Sequence, residues 1–406
     1  MYGIAILGFG VVGSGVAEVL DKNADRITLG ASRELTLKHI VDIRDFPDSP
    51  YKNLLTRDFE TVVNDPEVRV VVETIGGVGL AYEYTRRALD AGKSVVTSNK
   101  ELVARRGVEL LSLAEERGVN YLFEASVGGG IPILRPITQC LAANKIFEIY
   151  GILNGTTNYI LTSMIKDGAG LEDALKLAQS KGYAEADPSS DIDGTDACRK
   201  ICILADLCFG RHMDPDWLKT VGIRAVTAAD TAYADRGGYK IKLLGRAVAN
   251  PDGRISAYVA PHLVSSDNLL AGVEGVMNAI VVRGNAIGDV MFYGAGAGKL
   301  PTASAVVADI IDAAKHEHSR RLIAWKPGDP TMLRDSAELA GRWYARVAEN
   351  ENAVRGVFPS VEILGKAEGE TAFITPADKG AEGASKAEID AALADFNVLS
   401  LFRVIA

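Results

Sequence analysis

The stretch at residues 2–15, YGIAILGFGVVGSG, predicts how the first part of the chain folds. Residues 2–7 form a short apolar strand, and a helical pattern follows as far as Asp21. Between them lies GFGVVG, a G-x-G-x-x-G run. Its first glycine permits a tight turn, its second lets a pyrophosphate approach the backbone, and its third lets the helix pack on the strand. We therefore predict a dinucleotide site at Gly8, Gly10, Val11, Val12 and Gly13.

Strands and helices continue to alternate beyond this motif. Apolar strand segments lie at 35–41, 70–72, 94–97 and 121–123, and helical segments lie at 81–91 and 107–117. Such alternation is typical of an α/β fold with a Rossmann-type doubly wound parallel sheet, whose ligands bind beyond the carboxyl ends of the strands. The further cofactor-binding candidates at this edge are Arg44, Thr74, Ser98 and Lys100.

The end of the second strand leaves the choice of dinucleotide open, because Asp42 and Arg44 both follow it. A carboxylate at this position binds the adenosine ribose hydroxyls and favours NAD, whereas an arginine accepts the additional phosphate of NADP. We therefore predict NADP or NAD as the cofactor without deciding between them.

The composition limits the class of partner. The chain has 406 residues, enough for two or three domains, and its net charge is −9. This acidity disfavours a nucleic-acid surface, and no apolar run is long enough to span a bilayer. The amino terminus reads as a strand and not as a signal peptide. We predict a cytoplasmic protein that acts on a small molecule, with no nucleic-acid or membrane partner.

A second informative stretch is GYAEADPSSDIDGTDACRK at residues 182–200. It ends in a helix on which Asp196 and Lys200, four residues apart, share a face. A lysine beside carboxylates suits a small substrate that carries an ammonium group and gains a proton. The alternative is a solvated acidic loop with a surface ion pair. The acidic residues of the loop that could face a substrate are Glu185, Asp187, Asp191 and Asp193.

Two glycine-rich segments are candidates for further ligands. Residues 124–132 read EASVGGGIP, and their glycines expose backbone carbonyl oxygens, which are hard ligands suited to a monovalent cation. The alternative is a plain turn into a helix at Pro132. Residues 294–298 read GAGAG and precede another helix, which is an arrangement suited to a phosphate.

Taken together, these stretches resemble those of the homoserine dehydrogenases. GFGVVGSG, ETIGG, TSNKELVA, EASVGGGIPI, GILNGTTNYIL, GYAEADPSSDIDGTDACRK and GAGAGKLPTASAVVADI occur in the order of that family, from residue 8 to residue 310. The resemblance implies reversible, NAD(P)H-dependent reduction of L-aspartate 4-semialdehyde to L-homoserine, on the route to threonine, methionine and isoleucine. It also implies a homodimer or homotetramer.

The resemblance carries functional residues onto matching positions. Lys200 matches the catalytic lysine of the family, Gly182 a glycine near the nicotinamide, and Gly296 lies in a segment that returns to the cofactor domain. The positions that match residues around the substrate are Glu185, Asp191, Asp196 and Lys100, the last of which also lies near the cofactor. The sodium site of the family would fall on Glu124, Val127, Gly129 and Ile131.

We expect three parts. Residues 1–133 form an NAD(P)-binding Rossmann domain, and 134–320 form an α+β catalytic and dimerisation domain whose last helix returns to the Rossmann domain. Residues 321–406 form a small α+β module that resembles a divergent ACT domain, a βαββαβ unit that binds a regulatory amino acid. Residues 349–358 lack the Asp-x-Pro-Gly turn and the full first helix, so we favour a packing role over an effector site. A surface loop is expected at 378–385.

Two other functions remain open from the sequence. A related oxidoreductase could act on another amino-acid carbonyl, and a non-catalytic NAD(P)-binding regulatory protein could share the dinucleotide motif. The joint presence of Lys200 and Asp196 favours an enzyme over a regulator.

Overall fold

The computed structural model describes residues 2–319, 321, 323, 325–367, 369–376 and 383–405. Its strands are β1 (Tyr2–Leu7), β2 (Leu35–Val41), β3 (Leu55–Thr56), β4 (Val68–Glu73), β5 (Ser94–Thr97), β6 (Tyr121–Leu122), β7 (Ile146–Ile152), β8 (Lys219–Thr220), β9 (Tyr239–Ala249), β10 (Ile255–Ser265), β11 (Met277–Gly284), β12 (Gly288–Ala295), β13 (Trp343–Val347), β14 (Glu362–Ala367), β15 (Glu370–Ile374) and β16 (Val398–Ile405). Its α-helices are α1 (Val11–Lys22), α2 (Ala24–Ala31), α3 (Glu60–Asn64), α4 (Gly79–Asp90), α5 (Lys100–Arg117), α6 (Gly155–Asp167), α7 (Leu171–Ser180), α8 (Ser189–Ile192), α9 (Thr195–Phe209), α10 (Ala228–Arg236), α11 (Lys299–Lys315), α12 (Glu351–Val357) and α13 (Lys386–Ala392).

The chain divides into two compact units. The first comprises Met1–Lys145, Cys202–Pro215 and Gly294–Gly328, and the second comprises Ile146–Ile201, Asp216–Tyr293 and Asp329–Ala406. The expected division into three domains at residues 133 and 320 stays a prediction. In the part of the chain that the structure describes, no helix is long and apolar enough to cross a membrane.

The first unit is built on a six-stranded sheet in the order β3-β2-β1-β4-β5-β6, and every pairing in it is parallel. This is the strand order of dinucleotide-binding folds, so the predicted Rossmann-type doubly wound sheet is confirmed. All six residues of β1 are buried, as expected for a central strand with helices over both faces of its sheet.

The core of this unit is completed by α11, which comes from far along the chain. Ile6 of β1, Val16 of α1 and Val306 of α11 belong to one buried hydrophobic cluster. Gly15 allows the two helices to approach closely, because a Cβ at this position would lie 2.8 Å from the carbonyl oxygen of Lys299.

The second unit is built on a ten-stranded mixed sheet. Nine strands lie in the order β12-β11-β7-β9-β10-β16-β13-β15-β14, and β8 pairs with β10. The pairings β11–β7, β7–β9 and β9–β10 are antiparallel, whereas β16 joins β10 in parallel. The C-terminal strands are therefore part of the same sheet as the strands that precede them.

From β13 to β16 the elements follow the order β-α-β-β-α-β, and the four strands lie in the order β16-β13-β15-β14. The first helix, which the sequence analysis expected to be incomplete, is the seven-residue α12. Element order alone does not establish an ACT domain, so that assignment stays a prediction. Residues 378–382 of the expected surface loop lie outside the described residues.

A buried polar network joins this C-terminal segment to α10. Asp230, with 0% exposure, accepts hydrogen bonds from the Oη of Tyr344 at 2.9 Å, the Nε of Arg346 at 2.8 Å and the Oγ of Ser400 at 3.0 Å. The same carboxylate completes a capping box with Thr227 at the start of α10. A buried charge that loses its partner is strongly unfavourable, so this network holds β13 and β16 against α10.

We expect Arg346→Met to destabilise the protein by about 3–5 kcal/mol, because it leaves the Asp230 carboxylate buried without its cation. Thermal unfolding followed by circular dichroism measures the change. Lys386→Met is the control, since it removes an exposed ion pair with Asp390 and should cost less than about 1 kcal/mol. Equal losses in the two variants would contradict the role given to the network.

Candidate active site

The glycine loop between β1 and α1 has the geometry that a dinucleotide motif requires. Gly8 has a φ of 90°, which glycine adopts readily, and a Cβ at Gly13 would lie 1.9 Å from the carbonyl oxygen of Gly8. Gly10 is the N-cap of α1, and the nearest atom to a Cβ there is a guanidinium nitrogen of Arg44, at 3.6 Å. The loop is tightly packed at Gly8 and Gly13 and open at Gly10, where a pyrophosphate would meet the helix amides.

The Asp42 carboxylate at the end of β2 is already engaged by the protein. Its Oδ2 accepts a hydrogen bond from the backbone N–H of Phe9 at 2.6 Å and another from the Nη2 of Arg44 at 2.9 Å. Its Oδ1 accepts a hydrogen bond from the Nε of Arg44 at 3.0 Å. The Arg44 guanidinium beside it is the main cause that lowers the pKa of Asp42 to about 2. The Arg44 side chain itself remains 58% exposed.

Three of the other predicted cofactor residues follow β4 and β5 at the ligand-binding edge of the sheet, namely Thr74, Ser98 and Lys100. The hydroxyl of Thr74 donates a hydrogen bond to the carbonyl oxygen of Gly8 at 2.8 Å and so braces the glycine loop. Lys100 is the first residue of α5. Val11 begins α1 and is exposed, whereas Val12 packs against the hydrophobic core.

A buried glutamate that the sequence analysis did not single out joins the ends of β4 and β5. The Oε1 of Glu73 accepts the backbone N–H groups of Ile75 at 2.8 Å and Gly76 at 3.2 Å, and its Oε2 accepts the hydroxyl of Thr97 at 2.6 Å. Burial raises the pKa of Glu73. These bonds hold the turn after β4 against the next strand, which shapes the edge where ligands bind.

In the candidate cation loop, the carboxylate of Glu124 serves as a cap. It accepts the backbone N–H groups of Ile133 at 2.7 Å, Leu134 at 2.9 Å and Arg135 at 2.7 Å. The helical segment that it caps begins at Leu134 and not at Pro132. This use of the side chain leaves backbone oxygens as the candidate ligands of the loop.

The carbonyl oxygens of Val127, Gly129 and Ile131 accept no hydrogen bond within the described ranges, although all three residues are buried. Gly129 has a φ of 54°, and a Cβ on it would lie 2.5 Å from the carbonyl oxygen of Gly296. The two glycine-rich segments therefore approach each other backbone to backbone. No group of three or more His, Cys, Asp or Glu residues that could hold a metal ion occurs among the residues described.

In the second unit, Lys200 lies in a buried cluster and is 7% exposed. Its Nζ donates hydrogen bonds to the Oδ2 of Asp196 and to the carbonyl oxygen of Leu153, each at 2.7 Å. The Nδ2 of Asn154 donates to the same Oδ2 of Asp196 at 2.8 Å and to the Oδ1 of Asp191 at 2.7 Å. The structure thus brings together three of the predicted site residues.

The electrostatics of this cluster favour a cationic ligand group. Burial raises the pKa of Asp191, and the nearby Asp196 carboxylate adds to the rise. The cluster thus contains one lysine and two carboxyl groups, of which Asp196 is buried and Asp191 partly buried, and an additional ammonium group would relieve the repulsion between the carboxylates.

The remaining acidic residues of the predicted loop lie outside the cluster. Asp193 forms an ion pair with Arg224, and Asp187 accepts hydrogen bonds within its own turn. Glu185 is exposed, and among the described residues its carboxylate makes no hydrogen bond or ion pair. Gly182, with a φ of 73°, lies in the turn that ends α7.

Asn154 is the residue of this site that the sequence analysis missed as a functional residue. An asparagine between a strand and a helix signals an N-cap, and its Oδ1 does accept the backbone N–H of Thr157 at 2.8 Å. Nothing in the local pattern shows that its Nδ2 contacts carboxylates 37 and 42 residues further along the chain.

Two family models match the chain. The model described as homoserine dehydrogenase matches residues 132–311, and the model described as the NAD binding domain of homoserine dehydrogenase matches residues 8–124. The homoserine dehydrogenase of Synechocystis sp. is 46% identical over 316 residues, which cover 76% of this chain and 72% of that protein.

Solved structures of homoserine dehydrogenases are also similar to this chain. A homoserine dehydrogenase from Thiobacillus denitrificans, 36% identical, aligns with a TM-score of 0.88 over 100% of this chain and 98% of that one. A hyperthermophilic archaeal homoserine dehydrogenase in complex with NADPH, 34% identical, aligns with a TM-score of 0.65 over 77% of this chain and 97% of that one.

The glycine loop gives a test that separates folding from binding. We expect Gly13→Ala to lower Tm strongly, because its Cβ would overlap the Gly8 carbonyl oxygen, whereas Gly10→Ala should leave Tm nearly unchanged. Gly10→Ala should instead weaken NADPH binding, since its methyl group occupies the space of the pyrophosphate. Calorimetry and a fluorescence titration with NADPH measure the two effects. Unchanged NADPH affinity in Gly10→Ala would contradict the predicted position of the pyrophosphate.

Proposed function

The chain belongs to the homoserine dehydrogenase family and is an NAD(P)-dependent oxidoreductase, and from this premise we propose that Lys200 is its acid–base residue. The reaction is the reversible reduction of L-aspartate 4-semialdehyde to L-homoserine. The observation that carries the proposal is the buried contact of the Lys200 ammonium with Asp196. Ionisable groups that are buried together and share hydrogen bonds are candidates for a functional site.

The residues of the chain handle the proton and the substrate charge. When bound, the reduced dinucleotide supplies a hydride to the aldehyde carbon, so the aldehyde oxygen becomes an alkoxide. Lys200 donates a proton from its Nζ to this oxygen and stabilises the charge that develops there. In the oxidation of homoserine, the neutral amine of Lys200 accepts the hydroxyl proton.

Carboxylates of the second unit bind the substrate ammonium in this proposal. Asp196 and Asp191 are held in the buried cluster beside Lys200. Glu185 has an exposed carboxylate on the loop between α7 and α8 and would turn toward the bound ammonium group. We assign Lys100, at the start of α5, to an anionic group of the cofactor or substrate. A non-catalytic regulator would have no need of the buried lysine and its carboxylates.

The first unit favours NADP over NAD. The Asp42 carboxylate is occupied by Phe9 and Arg44, so it is poorly placed to accept two ribose hydroxyls. Beside it lies a cavity of about 380 Å³ lined by Arg44, Lys52 and Arg57, of which Arg44 and Arg57 pair with the lining carboxylates of Asp42 and Asp45. A phosphate on the ribose would be attracted by these cations, and planar guanidinium groups bind phosphate well.

We also propose a monovalent cation, such as sodium, at the loop of residues 124–131. Support comes from the buried carbonyl oxygens of Val127, Gly129 and Ile131, which lack donors in the described chain. Buried carbonyl groups normally have a partner, and a hard cation or a water would supply one. Glu124 would contribute its backbone oxygen, because its carboxylate is used as a cap.

The family resemblance supports assembly as a homodimer or homotetramer and a cytoplasmic location. For the C-terminal segment we propose a packing role. Its four strands continue the ten-stranded sheet, and its Arg346 is committed to Asp230. A ligand controls activity only by binding two states of the protein with different affinity. Because the segment shares its sheet with the strands before it, an effector bound there would have to distort this sheet to produce a second state.

Lys200→Ala tests the central role. We expect kcat for homoserine oxidation to fall by about 10²–10⁴-fold, the usual loss for a proton-transfer group, while the Kd for NADPH stays within about twofold. The assay follows the absorbance of the reduced cofactor with homoserine and NADP. Lys166→Ala, which removes a half-exposed lysine on α6, is the control and should keep full activity. A near-normal kcat in Lys200→Ala would remove Lys200 from the mechanism.

Arg44→Ala tests the cofactor assignment. We expect kcat/KM with NADP to fall by at least about tenfold, since a hydrogen bond to a charged group contributes about 1.5–3 kcal/mol. With NAD the value should hold or rise, because Asp42 is freed for the ribose hydroxyls. Arg106→Ala, which removes an exposed arginine on α5, is the control. Equal losses of kcat/KM with NADP and with NAD would show that Arg44 does not bind the ribose phosphate of NADP.

A further inference from the structure

We propose that Asn154 is a positioning residue, which holds Asp191 and Asp196 in one arrangement against Lys200. This inference rests on the acid–base role proposed for Lys200. Asn154 lies at the junction of β7 and α6, whereas Asp191 belongs to α8, and Asp196 and Lys200 belong to α9. One side chain therefore connects three segments of the second unit.

The hydrogen-bond pattern determines which way the amide faces. The Oδ1 of Asn154 accepts the backbone N–H of Thr157 at 2.8 Å, and a backbone N–H can only donate. The Nδ2 must then face the other side, where it donates one hydrogen to Asp191 at 2.7 Å and one to Asp196 at 2.8 Å. Both of its hydrogens are used by carboxylates, and the residue is 5% exposed.

The need for such a residue follows from the charges around it. Asp191 and Asp196 repel each other, and this repulsion contributes to the raised pKa of Asp191. A neutral amide that donates to both carboxylates reduces the repulsion without adding a charge, and it keeps the Oδ2 of Asp196 facing the Nζ of Lys200. The residue before Asn154 also contacts Lys200, since the carbonyl oxygen of Leu153 accepts a hydrogen bond from the Lys200 Nζ at 2.7 Å.

A purely structural explanation is that Asn154 only caps α6. The two roles can be separated because serine is about as good an N-cap as asparagine but cannot reach both carboxylates. Asn154→Ser should thus keep the helix start and lose the bridge. Asn154→Asp also keeps the cap and replaces the donor with a third carboxylate.

The experiment measures kcat and KM for homoserine, KM for NADP, and Tm of the full chain. We expect Asn154→Ser to lower kcat by about 10–100-fold, the scale of a small misplacement of reacting groups. KM for NADP should stay within about twofold, and Tm within about 3 °C of the wild type. KM for homoserine should rise, because the carboxylates that bind its ammonium are no longer aligned. Asn154→Asp should lose more kcat than Asn154→Ser.

The matched control is Asn350, which caps α12 through a hydrogen bond from the backbone N–H of Ala353 and lies in the C-terminal segment. Asn350→Ser should leave kcat and both KM values unchanged. The proposal fails if Asn154→Ser keeps kcat within about twofold of the wild type. If Asn154→Ser does not fold, Asn154→Asp is measured instead, and a kcat within about twofold of the wild type in that variant would also contradict the proposal. Failure of the proposed acid–base role would show separately, as a near-normal kcat in Lys200→Ala.

Discussion

The buried ammonium of Lys200 is the constraint on which the second unit depends. A lysine that is 7% exposed must have its charge matched and its hydrogens accepted, or it is strongly unfavourable. The partners come from different parts of the chain. The end of β7 supplies the carbonyl oxygen of Leu153, α9 supplies Asp196, and Asn154 connects this pair to α8. The same arrangement that satisfies the lysine brings it close to Asp196 and Asp191, the carboxyl groups proposed to bind the substrate ammonium.

In the first unit, the corresponding constraint is the close approach of backbone segments. A Cβ at Gly13 would overlap the Gly8 carbonyl, and one at Gly129 would overlap the Gly296 carbonyl. These contacts let helix amides and loop carbonyl oxygens face the places proposed for a pyrophosphate and a cation. Buried carboxylates stabilise these loops. Glu73 accepts hydrogen bonds from two backbone N–H groups and one hydroxyl, and Glu124 accepts hydrogen bonds from three backbone N–H groups. The binding edge is therefore shaped largely by main-chain atoms.

The C-terminal segment is joined to the rest of the second unit by two independent means. Its last strand pairs in parallel with β10, and the Asp230–Arg346 pair connects it to α10 through buried hydrogen bonds. A segment joined in this way cannot reorient freely without breaking main-chain hydrogen bonds. Any regulatory effect would therefore have to be transmitted as a distortion of the shared sheet, and this requirement favours the packing role.

Local pattern in the sequence was enough to predict the parallel sheet, the glycine loop, and the pair formed by Asp196 and Lys200. Each of these depends on spacing within a few residues, where strand and helix periodicity operate. The local pattern could not show that Asn154 contacts Asp191, or that the Asp42 carboxylate accepts the backbone N–H of Phe9. These contacts join residues distant in the chain, and a side chain's partners depend on which segments the fold brings together. The family resemblance pointed to both Glu185 and Asp191, and it was the tertiary structure that linked Asp191 to the buried cluster through Asn154 and left Glu185 exposed.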